Sequence, residues 1–315
     1  MIKKCIIALL VIIGLYIAAG WFFSEDIIHF SKRTLEEDRV HVELQKVSDV
    51  GLPEPETIAI ESDAHGSEKQ VLKGWFFKNP RFEQAKCGVI LQHGFKSTRW
   101  AVLKYAPLFW DRGCSILSVD ARFHGESGGQ CGTFGFHESK DMQSILYWMT
   151  TKTGLPKSKI GLLGESMGGT IVFLAAAREP ELAFVAIDST PSDMNESFQY
   201  EGSRKFGSVL TAVMMAVSMT IAELRCDFES DQISPKKVAK DVQSPVFISH
   251  SKSDESVPVY HAEVNYKGLI HTKKLLFLND WGASHVRDLN VNYEEYKKHM
   301  NQFLDQYVPD FGKLK

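Results

Sequence analysis

The sequence predicts an α/β fold, a mostly parallel sheet of eight strands with helices on both faces, and three observations predict it. Short β-rich apolar runs recur near 57–61, 71–77, 87–92, 114–119, 159–163, 183–188, 245–250 and 273–278. Segments of helical length near 99–110, 137–151, 166–178, 258–268 and 291–307 separate the later runs. Apolar strands alternating with helices build a sheet covered on both sides. Third, the residues best suited to chemistry fall just past predicted strand ends, where such sheets bind ligands.

At the N-terminus, Met1-Ile2-Lys3-Lys4 precedes an unbroken apolar stretch from Cys5 to Phe23. These nineteen residues, at ~1.5 Å per residue, nearly match a hydrocarbon core of ~30 Å. A cleaved signal peptide has a shorter apolar region. Ala18-Ala19-Gly20 offers a weak cleavage site, but Trp21-Phe22-Phe23 continue the run beyond it. The expectation is therefore an uncleaved anchor over 1–23. Lys3 and Lys4 place the N-terminus in the cytoplasm and the rest of the chain outside the membrane. Lys32 and Arg33 oppose that orientation, with Glu25 and Asp26 lying between. Cys5 lacks the context of a lipoprotein signal. Residues 24–56 are expected to form a polar tether, closed by Pro53 and Pro55. The body then comprises 57–190 and 242–315, with a cap at 191–241.

Within the body, Gly88-Val89-Ile90-Leu91-Gln92 reads as a strand and runs into His93-Gly94-Phe95. Further on, Lys159-Ile160-Gly161-Leu162-Leu163 leads into Gly164-Glu165-Ser166-Met167-Gly168 and then an apolar helix. A G-x-S-x-G turn between strand and helix lifts the serine hydroxyl above the sheet end, and the helix N-terminus faces the reaction centre. Ser166 is the expected nucleophile. In folds built on this elbow, one oxyanion donor is the backbone N–H after the serine, here Met167. The other comes from the loop after the third strand, here Phe95.

A serine needs a base, and the base needs an orienting acid. The elbow folds supply them in the order serine, acid, histidine. The strand Pro245–His250 is followed by a loop carrying Asp254, and the strand 273–278 by Trp281-Gly282-Ala283-Ser284-His285. The expected triad is Ser166, Asp254 and His285. Glu255 and Asp188 are rival acids. Of the other ten histidines, His261, His271 and His299 read as surface residues, and His93 and His250 end earlier strands.

More than fifty residues separate the strands at 183–188 and 245–250, room for a helical cap over the site. Residues 207–226 read as a mainly apolar helix with methionines at 214, 215 and 219. Methionine suits adaptable apolar binding. The plainer alternative is that these methionines pack the cap onto the body, and a third is that the cap touches lipid.

These segments together resemble the α/β-hydrolase superfamily. Specifically, the chain looks like bacterial serine hydrolases related to the prolyl-oligopeptidase group and to lipase-like esterases. The resemblance rests on His93-Gly94-Phe95, on Asp120-Ala121-Arg122-Phe123-His124-Gly125-Glu126-Ser127-Gly128-Gly129, and on Gly135-Phe136-His137-Glu138 with Asp141. It continues through the elbow, the Asp254 loop with Val257-Pro258, and His285, covering roughly 55–310. Phe123 stands where that family usually has glycine. The resemblance implies acyl transfer to Ser166 and hydrolysis by water activated by His285, most simply of carboxylic esters with acyl or lipid-like groups. A peptidase, an acyltransferase and a non-catalytic binding protein remain alternatives.

Composition narrows partners. The chain has 315 residues, 36 basic and 39 acidic, for a net charge of −3, which offers no electrostatic footprint for nucleic acid. No metal-binding or phosphate-binding motif is present, so neither metal nor cofactor is expected. Outside the span lie Cys87, Cys114, Cys131 and Cys226. Cys87 and Cys114 begin strands expected to be neighbours, and two buried free thiols are expected there in preference to a bridge. Oligomeric state is not legible.

Overall fold

The computed structural model describes residues 2–63 and 69–312. Met1 of the expected anchor and residues 313–315 of the expected body lie outside them. One eight-stranded sheet organises the chain: β1 (Glu56–Ser62), β2 (Gln70–Phe77), β3 (Gly88–Gln92), β4 (Ser115–Val119), β5 (Ile160–Glu165), β6 (Phe184–Asp188), β7 (Val246–Ser251) and β8 (Lys274–Asn279). Their spatial order is β1-β2-β4-β3-β5-β6-β7-β8. β1 and β2 are antiparallel, as are β2 and β4, and every later pairing is parallel. β3 to β7 are buried along their whole length, which is why they read as apolar runs. β1 alternates buried and exposed residues, as an edge strand with one wet face does.

The main helices are α1 (Ile2–Ile28), α2 (Leu35–His41), α3 (Glu138–Thr153), α4 (Met167–Ala176), α5 (Met194–Phe206), α6 (Ser208–Cys226), α7 (Tyr260–Gly268) and α8 (Tyr293–Tyr307). One apolar layer joins α3 and α4 to the sheet through Met142, Ile145, Ile171 and Phe173. The opposite layer is built from Tyr105, Phe109, Phe247, Tyr296 and Phe303. The expected helix at 99–110 is instead a 3₁₀ segment, Ala101–Tyr105, and a single α-turn, Pro107–Trp110. Pro107 has no N–H to continue a helical ladder and opens the second piece.

Residues 24–56 do not hang free as a tether. Thr34 caps α2, its hydroxyl accepting from Glu37 N at 3.2 Å while the Glu37 carboxylate accepts from Thr34 N at 2.8 Å, a reciprocal capping box. Asp38 on α2 is fully buried. Its carboxylate accepts from Thr98 N and Ser97 Oγ, each at 2.8 Å, and from Arg33 at 3.2 Å. Phe30 packs against Phe95, Phe123 and Phe134 with ring centroids 4.5, 5.3 and 6.1 Å apart. Phe123 takes φ 58°, the left-handed region in which glycine is at ease. It thus retains the backbone bend that its position demands and adds a ring for Phe30 to pack on.

Both cysteine pairs are joined, Cys87 to Cys114 and Cys131 to Cys226. The expectation of two free thiols at 87 and 114 is corrected. The parallel register Gly88↔Ser115 sets the two preceding residues side by side, with Cα atoms 4.6 Å apart.

Candidate active site

The elbow is built by close backbone approach. A Cβ on Gly168 would fall on the Gln92 and His93 carbonyls, and one on Gly164 would fall on the Gly168 carbonyl. Only glycine at both positions lets α4 start so near β3 and β5. Ser166 pays for this turn in backbone strain, with φ 52° and ψ −122°. Its N–H donates to Asp188 O at 2.9 Å, and its carbonyl accepts from Thr170 N at 3.2 Å. Those bonds hold the turn closed while the side chain stays half-buried at the cleft floor.

Ser166, His285 and Asp254 lie in one hydrogen-bonded line. His285 Nε2 is 2.8 Å from Ser166 Oγ, and His285 Nδ1 is 2.7 Å from Asp254 Oδ2. Asp254 Oδ1 accepts from the N–H groups of Ser256 and Val257, both at 2.9 Å. Burial raises the pKa of this carboxyl, yet the His285 hydrogen bond and charge and the Val257 N–H outweigh it and hold the group below the ordinary aspartate value. Asp254 is therefore a carboxylate across the neutral range. The rival acids are occupied elsewhere. Asp188 Oδ2 accepts from Tyr105 at 2.8 Å and Tyr296 at 3.1 Å, and Glu255 is exposed and paired with Arg204.

Beside Ser166, neither the Phe95 nor the Met167 backbone N–H donates to a protein acceptor among the described residues. His93 controls the first of them. Its Nε2 accepts from Ala121 N at 2.9 Å, so Nδ1 carries the proton and donates to Gly94 O at 2.8 Å. Burial pushes the His93 pKa down to about 4, so the ring is neutral. In a trans peptide the carbonyl and the following N–H point in opposite directions. Holding the Gly94 carbonyl therefore turns the Phe95 N–H away from His93. A Cβ on Gly94 would lie 3.3 Å from Ser166 Cβ, which shows how near this peptide runs to the serine.

Several contributors escaped the sequence reading. Lys104 pairs with the buried Glu165 of the elbow at 2.7 Å and donates to Val286 O at 2.5 Å. It thereby ties the elbow to the loop that carries His285. Val286 sits at φ 55°, a strained conformation for a β-branched residue. Its N–H donates to Ser189 Oγ at 3.3 Å. His261, expected on the surface, is buried, with Nδ1 2.8 Å from Ser192 Oγ. A lysine among apolar residues and a histidine on a helix carry no local mark of such roles.

The cleft above Ser166 has a volume of about 880 Å³. Its apolar walls include Leu44, Trp100, Phe134, Met194, Phe198 and Leu289. Val42, Leu44 and Val50 come from the segment expected to be a tether, and Met194, Ser197, Phe198 and Glu201 come from α5, in the segment expected to be a cap. None of the methionines at 214, 215 and 219 lines the cleft. Met219 is buried against the core instead, so the packing reading applies to it.

Fold and elbow define the class: this is a serine hydrolase of α/β-hydrolase fold. The chain belongs to the family of X-Pro dipeptidyl-peptidase (S15 family), which it matches over residues 54–234. The match takes in Ser166 and ends before Asp254 and His285. An uncharacterised protein of Bacillus subtilis (strain 168), YqkD, is 28% identical over 308 residues, covering 96% of this chain and 97% of its own. Among solved structures, the Pyrococcus furiosus esterase Pf2001 superposes with a TM-score of 0.65 at 23% identity, covering 84% of this chain and 96% of that one. The acylaminoacyl peptidase of Pyrococcus horikoshii gives a TM-score of 0.59 at 17% identity, covering 84% and 43%. At these identities the likeness to both structures is one of fold.

Proposed function

We propose that this serine hydrolase cleaves carboxylic esters with apolar acyl or alkyl groups, with Ser166 as nucleophile, His285 as general base and then acid, and Asp254 as orienter. The observation that carries the reading is the continuous relay from Ser166 Oγ through both His285 nitrogens to Asp254. In this mechanism Ser166 attacks the carbonyl carbon as His285 Nε2 takes its proton. The Phe95 and Met167 N–H groups hold the oxyanion. His285 then protonates the leaving alcohol, and a water deprotonated by His285 releases the acyl group. The apolar walls favour the ester reading. Membership of a family described as X-Pro dipeptidyl-peptidase favours a second one, cleavage of peptide bonds by the same chemistry.

α1 is long and apolar enough to cross a membrane, and we propose that it anchors the chain with the body outside the cytoplasm. Two disulfides support an oxidising compartment. The test is a fluorophosphonate probe on detergent-solubilised protein, with the adduct located by mass spectrometry beside Ser166→Ala. An adduct on Ser166, absent from the variant, is expected. Folded protein that takes no adduct overturns the reading. Rates on esters of graded chain length and on X-Pro anilides then separate esterase from peptidase.

A further inference from the structure

The cap helix α6 presents a face for which water is a poor partner. Val209, Ala212, Val213, Ala216, Thr220 and Leu224 are all exposed and recur at helical spacing along one side. No charged residue occurs between Lys205 and Glu223. Exposed helix faces of water-soluble domains normally carry charge. The one hydroxyl on this stripe, Thr220, donates to Ala216 O at 2.8 Å, within its own helix. The stripe therefore carries no hydroxyl that needs water as its acceptor.

The stripe is continuous with α1. The two helices run side by side in the same direction. Tyr16 hydroxyl donates to Val213 O at 2.6 Å, and Arg225 donates to Ser24 Oγ at 2.9 Å and to Glu25 at 2.5 Å. Gly20 allows this approach, since a Cβ there would lie 2.6 Å from a Val217 methyl. Arg225 also covers the Trp21 ring at 4.4 Å. Most exposed large apolar side chains of the described residues lie on α1 or at the start of α6, from Ile2, Leu10 and Phe22 to Val209 and Leu210. This is one apolar surface shared by two helices, far larger than the scattered apolar residues of a soluble face.

We propose that lipid acyl chains cover the α6 stripe together with α1, so that the cap rests in the leaflet and the cleft draws its substrate from there. The inference rests on the reading of α1 as a membrane helix and deepens the proposed function by naming the source of the substrate. α6 is the outer helix of a hairpin whose inner helix, α5, contributes Met194 and Phe198 to the cleft. The hairpin thus joins the lipid-facing surface to the wall beside Ser166. The substrate class that follows is a membrane-borne ester, an amphiphile with its acyl or alkyl chain in the bilayer.

The test uses full-length protein in phosphatidylcholine vesicles. Cys5, the free cysteine among the described residues, is changed to serine. A single reporter is introduced as Ala216→Cys on the stripe or as Tyr147→Cys on α3, an exposed site away from the cap. Acyl-chain nitroxide lipids are expected to quench an environment-sensitive fluorophore at 216 and not at 147. A water-soluble maleimide is expected to react about tenfold more slowly at 216 than at 147, the ratio expected for a ~1.4 kcal/mol preference for lipid. Equal reaction and no quenching at 216 overturn the proposal. So do cross-links between chains through position 216 without quenching, which assign the face to a second copy. Ala216→Asp is expected to slow hydrolysis of a vesicle-borne ester about tenfold and to leave a soluble short-chain ester unaffected. Equal slowing of both overturns the link to substrate supply. Fluorophosphonate labelling of Ser166 is read on the same samples. Quenching without labelling sinks the hydrolase reading alone, and labelling without quenching sinks the lipid contact alone.

Discussion

At the scale of single residues, the cleft depends on groups held in chosen protonation states. Asp254→Asn removes the carboxylate bonded to His285 Nδ1, and a fall in kcat of about 10⁴ with little change in KM is expected, read by steady-state kinetics. His93→Ala releases the Gly94 carbonyl. Its expected cost is a drop in kcat of about 10–100-fold, below the ~10²–10³ of losing an oxyanion donor outright. A merely structural His93 would lower Tm and leave kcat per folded molecule intact. Asp288, buried outside the cleft lining with Oδ2 accepting from Ser249 Oγ at 3.2 Å, bears on stability instead. Burial, and then the charge of Asp188, raises its pKa to about 8 from an ordinary 3.8. The folded state therefore holds a proton that the unfolded state has lost, and stability falls as pH rises between those two values. Asp288→Asn mimics the protonated form. It is expected to leave Tm nearly unchanged at acidic pH and to raise it relative to wild type near pH 8. A Tm difference that does not grow with pH would contradict this.

Elements are coupled to the site through a few ties that cross between them. Lys104 joins the segment after β3 to the elbow through Glu165 and to the His285 loop through the Val286 carbonyl. Lys104→Met strands a buried carboxylate, whose pKa burial already raises. A loss of about 3–5 kcal/mol in chemical denaturation is expected, with kcat reduced in the fraction that remains folded. Cys131–Cys226 ties the end of α6 to the loop before α3 across 95 residues of sequence, whereas Cys87–Cys114 spans 27. Replacing the longer bridge with serines is expected to cost about 2–4 kcal/mol, more than the shorter one on loop-entropy grounds. Equal losses would show that the native strands, not the unfolded chain, set the effect.

For the whole molecule, the N-terminal region divides in two. Residues before Trp21 are mostly exposed, whereas Ile28, Phe30, Asp38, Val47 and Leu52 are buried in the body. A chain starting at Trp21 uncovers the Val217 side of α6 but keeps the buried segment from Ile28 to Leu52, and is expected to retain its fluorophosphonate reactivity. A chain starting at Glu56 uncovers Phe95 and Phe134, loses the cleft wall of Val42, Leu44 and Val50, and is expected to aggregate or to lose reactivity. Retained activity in that shorter chain would make 24–56 a passive linker after all.

Eight strands were legible within two residues of their ends because each carries its own pattern of apolar residues and is buried or edged accordingly. The elbow was legible because its requirement is local: glycine where backbone meets backbone, serine between, a strand before and a helix after. That Ser166, Asp254 and His285 would lie together was legible because chain order and strand ends are one-dimensional facts. The pairing of cysteines, the docking of 24–56 through Asp38, the burial of His261 and the clamp by Lys104 were not legible. Each depends on which distant segment arrives beside a residue. Adjacent parallel strands bring Cys87 to Cys114, and a loop sixty positions away satisfies Asp38. Sequence by itself determined the fold class and the backbone geometry of the elbow, since both are written in local backbone constraints. Tertiary structure alone decided what walls the cleft and what the cap turns outward, since burial and contact are properties of the assembled surface.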